Sequence, residues 1–81
     1  MLITPSLLSA DLADLRPLLG QLERAGADRF HVDVMDGHFV PNLSFGPAMV
    51  ASIRRHSGLP QDVHLMVDRP ELWLKSFAEA G

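Results

Sequence analysis

The residues of this sequence best suited to chemistry are His31, Asp33 and His64, with Ser6 as a fourth polar group. His31 and Asp33 lie two residues apart in Phe30-His31-Val32-Asp33-Val34-Met35, and His64 sits within Gln61-Asp62-Val63-His64-Leu65-Met66-Val67. Side chains of an extended chain alternate between faces, so His31, Asp33 and Met35 share one face and Phe30, Val32 and Val34 the other. By the same rule Asp62, His64 and Met66 face away from Val63, Leu65 and Val67. A strand with one wholly apolar face and a second face ending in Met35 is expected to be buried on both sides, and burying an imidazole and a carboxylate without partners is expensive. Two imidazoles and a carboxylate suit a divalent cation of the zinc, iron(II), manganese or cobalt type. Three protein ligands would leave coordination positions open, as in catalytic rather than structural sites. A His–Asp pair hydrogen-bonded within a polar interior satisfies the same residues without an ion, and the His-x-Asp spacing does not choose between the two. Met35 and Met66 also have two readings: core filling, or an apolar wall beside a reacting centre, where low dielectric strengthens interactions with developing charge. His38, in a loop, and His56, at a helix end, are left out of the site. Asp36 and Gly37 are read as shaping the turn after the strand.

The elements that must position these groups follow from periodicity. Met1 to Leu8, apolar with Thr4 and Ser6 interspersed, reads as a first strand with Thr4, Ser6 and Leu8 on one face. Pro5 cannot donate to a ladder and belongs near the end of that strand. Leu12, Leu15, Leu18, Leu19 and Leu22 recur at helical steps. They predict an amphipathic helix capped by Asp11 or Asp14, with Pro17 in its first turn or at a local break and Gly26 just past its end. Asp36 to Gly46 is a long connection, a kind of segment that is commonly functional in compact units. Pro47 opens a second helix with Met49, Val50 and Ile53 on its apolar side, and Gly58-Leu59-Pro60 stops it. After the strand over residues 61–67, Asp68-Arg69-Pro70 turns into a third helix. Its buried stripe is read as Leu72 or Trp73 with Leu74, Phe77 and Ala78. This βαβαβα order argues for an α/β fold with a parallel sheet and right-handed crossovers. Reactive residues of such folds collect at the carboxyl ends of strands. Here those ends carry Ser6, then His31 and Asp33, then His64, which converge if the sheet closes into a barrel.

Composition narrows the class. The 81 residues allow one small domain, and 47% hydrophobic residues with only four Phe and one Trp indicate an aliphatic globular interior. A net charge of −3 and the absence of a Lys/Arg cluster give no electrostatic footprint for nucleic acid. Without cysteine there is neither a disulfide framework nor a thiolate metal site, which fits a reducing compartment. The start, Met1-Leu2-Ile3-Thr4-Pro5, reads as neither a signal peptide nor a membrane span, so a soluble cytoplasmic protein is expected.

Three blocks are specific enough to suggest a family: Pro5-Ser6-Leu7-Leu8-Ser9-Ala10-Asp11, His31-Val32-Asp33-Val34-Met35-Asp36-Gly37-His38-Phe39-Val40-Pro41-Asn42, and Asp62-Val63-His64-Leu65-Met66-Val67. In order and spacing they closely resemble the ribulose-phosphate 3-epimerase family, with the likeness running from Pro5 to Gly81. The resemblance implies a TIM (β/α)8 barrel of the ribulose-phosphate-binding type, of which this chain is an N-terminal fragment of three βα units. It implies metal-dependent interconversion of D-ribulose 5-phosphate and D-xylulose 5-phosphate, in the pentose phosphate pathway, by proton transfer through an enediolate. Metal ligands then fall on His31, Asp33 and His64, with a fourth, an aspartate, outside this sequence. Asp33 also becomes one of two acid/base carboxylates, Ser6 and His64 contact substrate, and Met35 and Met66 line the site. A small sugar phosphate as partner and a homo-oligomeric intact enzyme follow from the same resemblance. The isolated chain, lacking the second carboxylate and the phosphate-gripping loops, is expected to be inactive. Two alternatives remain at this point: a truncated, non-catalytic metal-binding or interaction module, and an epimerase of the same family acting on another ketose phosphate such as allulose 6-phosphate.

Overall fold

The computed structural model describes residues 2–81. Its centre is a pair of parallel strands, β1 (Phe30–Met35) and β2 (Gln61–Met66), joined through the helix α2 (Pro47–His56). Phe30 pairs with Gln61, and the register continues through Asp33 with His64 to Met35 with Met66. Parallel pairing with an intervening helix is the βαβ unit that the alternation of strand and helix patterns predicts. A helix α1 (Leu15–Arg24) precedes the unit and a seven-residue helix α3 (Leu74–Ala80) follows it.

The apolar face of β1 forms the core. Phe30, Val32 and Val34 pack with Leu7, Leu19, Phe45, Val50, Ile53, Val67 and Phe77 in one buried cluster. Leu19 arrives on α1, Val50 and Ile53 on α2, and Phe77 on α3, so each helix supplies at least one anchor to the same side of the sheet. The opposite face is less covered than the sequence suggests. His31, Asp33, Met35 and Met66 are half-buried and His64 is exposed, because no helix among the described residues lies over that face.

Local punctuation follows the sequence closely in places. The chain leaves α1 through Ala25 and Gly26, whose φ of +102° lies in the region open to glycine. The Ala27 N–H returns to the Leu22 carbonyl and the Gly26 N–H to that of Glu23, the paired bonds of a Schellman ending. Pro47 occupies the first turn of α2, where its missing N–H leaves no helical bond unmade.

Elsewhere the structure corrects the reading. The expected strand over residues 1–8 is not a regular strand in the described residues, and Met1 lies outside them. Residues 2–5 run beside β1 through single bonds, Asp28 N–H to the Ile3 carbonyl and His31 N–H to the Pro5 carbonyl, each 2.8 Å. Only Ser6 forms a parallel bridge, with His31, before Leu7–Ser9 turns into a 3-10 helix. Pro5 offers no N–H, and the immediate turn at Leu7 cuts the ladder short. Asp11 caps a separate 3-10 turn, Leu12–Asp14, by accepting from the Ala13 N–H, so Leu12 stays exposed ahead of α1. Asp14 precedes α1 but makes no side-chain cap, and Pro17 sits in its first turn. Strand β2 ends at Met66, although Val67 just beyond it is buried. The third-helix stripe is narrower than expected. Phe77 alone of that set is buried; Leu72, Trp73, Leu74 and Ala78 are exposed, because Pro70–Leu72 forms a 3-10 turn that changes the phase before a very short helix begins.

Candidate functional site

Strand alternation and register bring His31, Asp33 and His64 together. Asp33 stands opposite His64 across the β1–β2 pair, while His31 lies two residues before Asp33 on the same face. Asp33 Oδ1 is 2.9 Å from His31 Nε2 and 3.5 Å from His64 Nδ1. One donor atom from each of the three residues lies within 4.8 Å of the others. The two imidazoles meet edge to face, with ring centres 5.7 Å apart. The other carboxylate oxygen, Oδ2, accepts a 2.7 Å hydrogen bond from the Ser6 hydroxyl. The short parallel bridge between Ser6 and His31 therefore suffices to deliver Ser6 to the site, although no regular first strand forms.

The electrostatics keep Asp33 charged. Burial pushes its carboxyl up, but the Ser6 hydrogen bond, the charge and hydrogen bond of His31 and the charge of His64 together outweigh burial. They hold it below its ordinary value, so at neutral pH it is a carboxylate with every oxygen engaged. Side-chain exposure rises from 15% at Asp33 through 34% at His31 to 57% at His64, so the cluster is anchored at the carboxylate and opens toward solvent on the β2 side. Met35 and Met66 form the next rung of the same face, toward the carboxyl ends of the strands. Below the cluster, Arg29 and Asp62 pair at 3.1 Å. His38 and His56 are both exposed and take no part.

The loops after the strands are fixed by two residues. Asp36 accepts from the His38 and Phe39 amides with Oδ1 and from the Asp68 amide with Oδ2, tying the loop after β1 to the loop after β2. The Asp68 amide, together with those of His38 and Phe39, lowers its carboxyl pKa despite partial desolvation. Gly37 takes φ +78°, and a Cβ there would lie 3.2 Å from a Leu43 methyl, so the expected turn role of Asp36-Gly37 has a steric basis. The second residue is Ser44, which the sequence reading passes over. Its hydroxyl donates to the Asp33 carbonyl and accepts from the Met35 N–H at 2.8 Å. No periodic pattern marks Ser44; the only hint is its place in a long loop that must return to α2.

A parallel βαβ unit carrying a His/Asp/His cluster on one strand face defines an α/β protein whose polar chemistry is gathered on the sheet. The chain belongs to the ribulose-phosphate 3-epimerase family: the model of that family matches residues 2–81. It is 49% identical over 79 residues to the ribulose-phosphate 3-epimerase of Bacillus subtilis, covering 98% of this chain and 36% of that protein. It is 54% identical to that of Rhodospirillum rubrum, over 98% of this chain and 35% of the relative. Against the Chlamydia muridarum protein of the same name identity is 46% over 81 residues, 36% of the relative. The chain thus spans little more than a third of the length of the curated relatives it matches. No helix among the described residues is long and apolar enough to cross a membrane.

Proposed function

We propose that this chain supplies the first βα units of a (β/α)8 barrel that epimerises carbon 3 of D-ribulose 5-phosphate to give D-xylulose 5-phosphate. In this reading His31, Asp33 and His64 hold a divalent cation. The observation that carries it is the position of Asp33: one oxygen lies between two imidazole nitrogens, at 2.9 and 3.5 Å, and the other is fixed by Ser6. Ligand atoms bound at about 2.0–2.1 Å to a tetrahedral ion stand about 3.3 Å apart. Two of the separations are near that value and all three donor atoms lie within 4.8 Å of one another, so the set can close on a zinc, iron(II), manganese or cobalt ion once the His31–Asp33 hydrogen bond opens. For ligation His31 would need its Nε2 unprotonated, moving the ring proton to Nδ1.

The chemistry follows from the placement of the chain's own groups. The proton on carbon 3 of the ketose is acidified by the neighbouring carbonyl at carbon 2. Asp33, held ionised and oriented by Ser6 and His31, takes that proton from one face of the carbon or returns it there. Inversion needs a second acid/base group on the opposite face, and a carboxylate from the remainder of the barrel would provide it. A divalent cation held by the three ligands would supply Lewis-acid stabilisation of the charge that develops on the substrate oxygens. Ser6 and His64 lie at the open rim, where they can contact substrate, and Met35 with Met66 offers an apolar wall that limits water near the reacting carbon. A sugar phosphate as partner, a homo-oligomeric intact enzyme and a cytoplasmic setting belong to the same proposal.

The clustering of His31, Asp33 and His64 donor atoms within 4.8 Å also supports a second reading, a metal-binding module without catalysis of its own. A chimera separates them, in which residues 2–81 replace the matching segment of the Bacillus subtilis relative. The epimerase reading expects conversion of ribulose 5-phosphate to xylulose 5-phosphate, lost on Asp33→Asn. A folded chimera that binds metal but does not turn over would support the module. Faster turnover of allulose 6-phosphate than of ribulose 5-phosphate would move the substrate assignment within the family.

A further inference from the structure

We propose that Ser44 is a positioning residue of the His31–Asp33–His64 site: its hydroxyl stands in for a missing neighbouring strand along the edge of β1 that carries Asp33. The metal-binding part of this inference rests on the reading of those three residues as ligands. The two edges of β1 are covered differently. Within a strand the N–H and C=O of one residue point to the same side, and those of the next residue to the other. Phe30 donates to the Pro60 carbonyl, so even-numbered residues of β1 face β2. His31 donates to the Pro5 carbonyl, so His31, Asp33 and Met35 present their backbone groups to the opposite edge.

That edge is covered only as far as Ser6. The chain then turns into the 3-10 helix Leu7–Ser9 and departs, where a longer strand would have continued alongside Asp33 and Met35. By the same rule the N–H and C=O of both Asp33 and Met35 face the gap, and the Ser44 hydroxyl engages two of these four groups, the Asp33 carbonyl and the Met35 N–H. The Ser44 N–H adds a 3.3 Å bond to the Met35 carbonyl, and Leu43 bridges to Asp36 in an antiparallel sense. One side chain thus satisfies a donor and an acceptor on either side of Val34, which a hydroxyl can do and a methyl cannot. The consequence for the site is direct. The backbone of Asp33 is pinned at its carbonyl while its side chain is held by Ser6 and His31, so the direction of the carboxylate is fixed from both ends. Groups that orient a ligand in this way typically change metal affinity by about 10- to 100-fold when removed.

The test uses the chain with Ser44→Ala, which deletes the hydroxyl, and Ser44→Thr, which keeps it. Two readouts are taken: Co²⁺ titration followed by visible absorption, and amide hydrogen exchange at Met35 by NMR. The expected result is a protected Met35 amide and Co²⁺ binding in the unmodified chain. Ser44→Ala then loses the protection and about 10- to 100-fold in affinity, while Ser44→Thr retains both. Unchanged exchange and affinity in Ser44→Ala, or a folded Ser44→Thr that behaves like it, would overturn the proposal. If the unmodified chain binds no Co²⁺, the metal reading fails on its own. The positioning role is then decided by Met35 exchange and by the Asp33 carboxyl ¹³C shift, which Ser44→Ala must move and Ser44→Thr restore. If Ser44→Ala does not fold, the unmodified chain still decides: rapid exchange of its Met35 amide would contradict a hydroxyl bridging that edge.

Discussion

Asp33 carries the site because three contacts meet on one carboxylate: a hydroxyl, an imidazole two residues away and a second imidazole across the sheet. Replacing it with Asn keeps the size and one oxygen but removes the charge. Asp33→Asn is predicted to weaken Zn²⁺ or Co²⁺ binding by more than about 100-fold, beyond the range for groups that only orient a ligand. Titration of the variant by calorimetry checks this. Asp36 gives a pH prediction of definite sign. Its carboxyl is held below its ordinary value, chiefly by the Asp68 amide, so the folded chain binds the proton more weakly than the unfolded one. Its contribution to stability is therefore complete above the ordinary aspartate value of about 3.9 and is lost as pH falls through the lower folded value. Urea midpoints measured from pH 6 down to pH 3 should fall less steeply for Asp36→Asn than for the unmodified chain. At this scale His31, Asp33 and His64 were legible from sequence because a period of two fixes which side chains share a face. Ser44 was not, since its role depends on where the residue 2–9 segment leaves the edge of β1, a three-dimensional fact without a local pattern.

The elements were legible where a single residue constrains the backbone. Gly26 marks the end of α1 and Pro47 the start of α2, and both stand where the chain requires them. At Gly26 a Cβ would meet nothing within 4 Å, so the cost of Gly26→Ala is backbone strain alone. A loss of about 1–2 kcal/mol is expected, the usual penalty for an L-residue in the left-handed region. It should be read as a lower urea midpoint at unchanged slope. The first strand and the buried stripe of the third helix depart from the sequence pattern for physical reasons. Pro5 removes a ladder donor and the 3-10 turn at Leu7 ends the pairing after one bridge, so apolar alternation over residues 1–8 did not become a strand. A second 3-10 turn, Pro70–Leu72, shifts the phase of the apolar residues before α3, leaving Phe77 as its anchor while Leu72, Trp73 and Leu74 face outward.

As a whole, the molecule is a βαβ unit with its apolar side packed by three helices and its polar side carrying the site. The exposed Leu72, Trp73 and Leu74 and the edge of β2 that pairs with nothing among the described residues form surfaces suited to association. Sedimentation of the isolated chain is predicted to reveal concentration-dependent self-association, reduced by Trp73→Lys. The chain spans 36% of its Bacillus subtilis relative; if Asp33 is one of the two acid/base groups of the proposed inversion, the chain alone is predicted to bind metal without measurable epimerase turnover. The central claim, that strand register builds a divalent-cation site from His31, Asp33 and His64, is tested most directly by calorimetric titration of Zn²⁺ into the chain and into His64→Ala. The prediction is one ion bound per chain, with affinity sharply reduced in the variant. No binding by the unmodified chain, or equal binding by both, would contradict it.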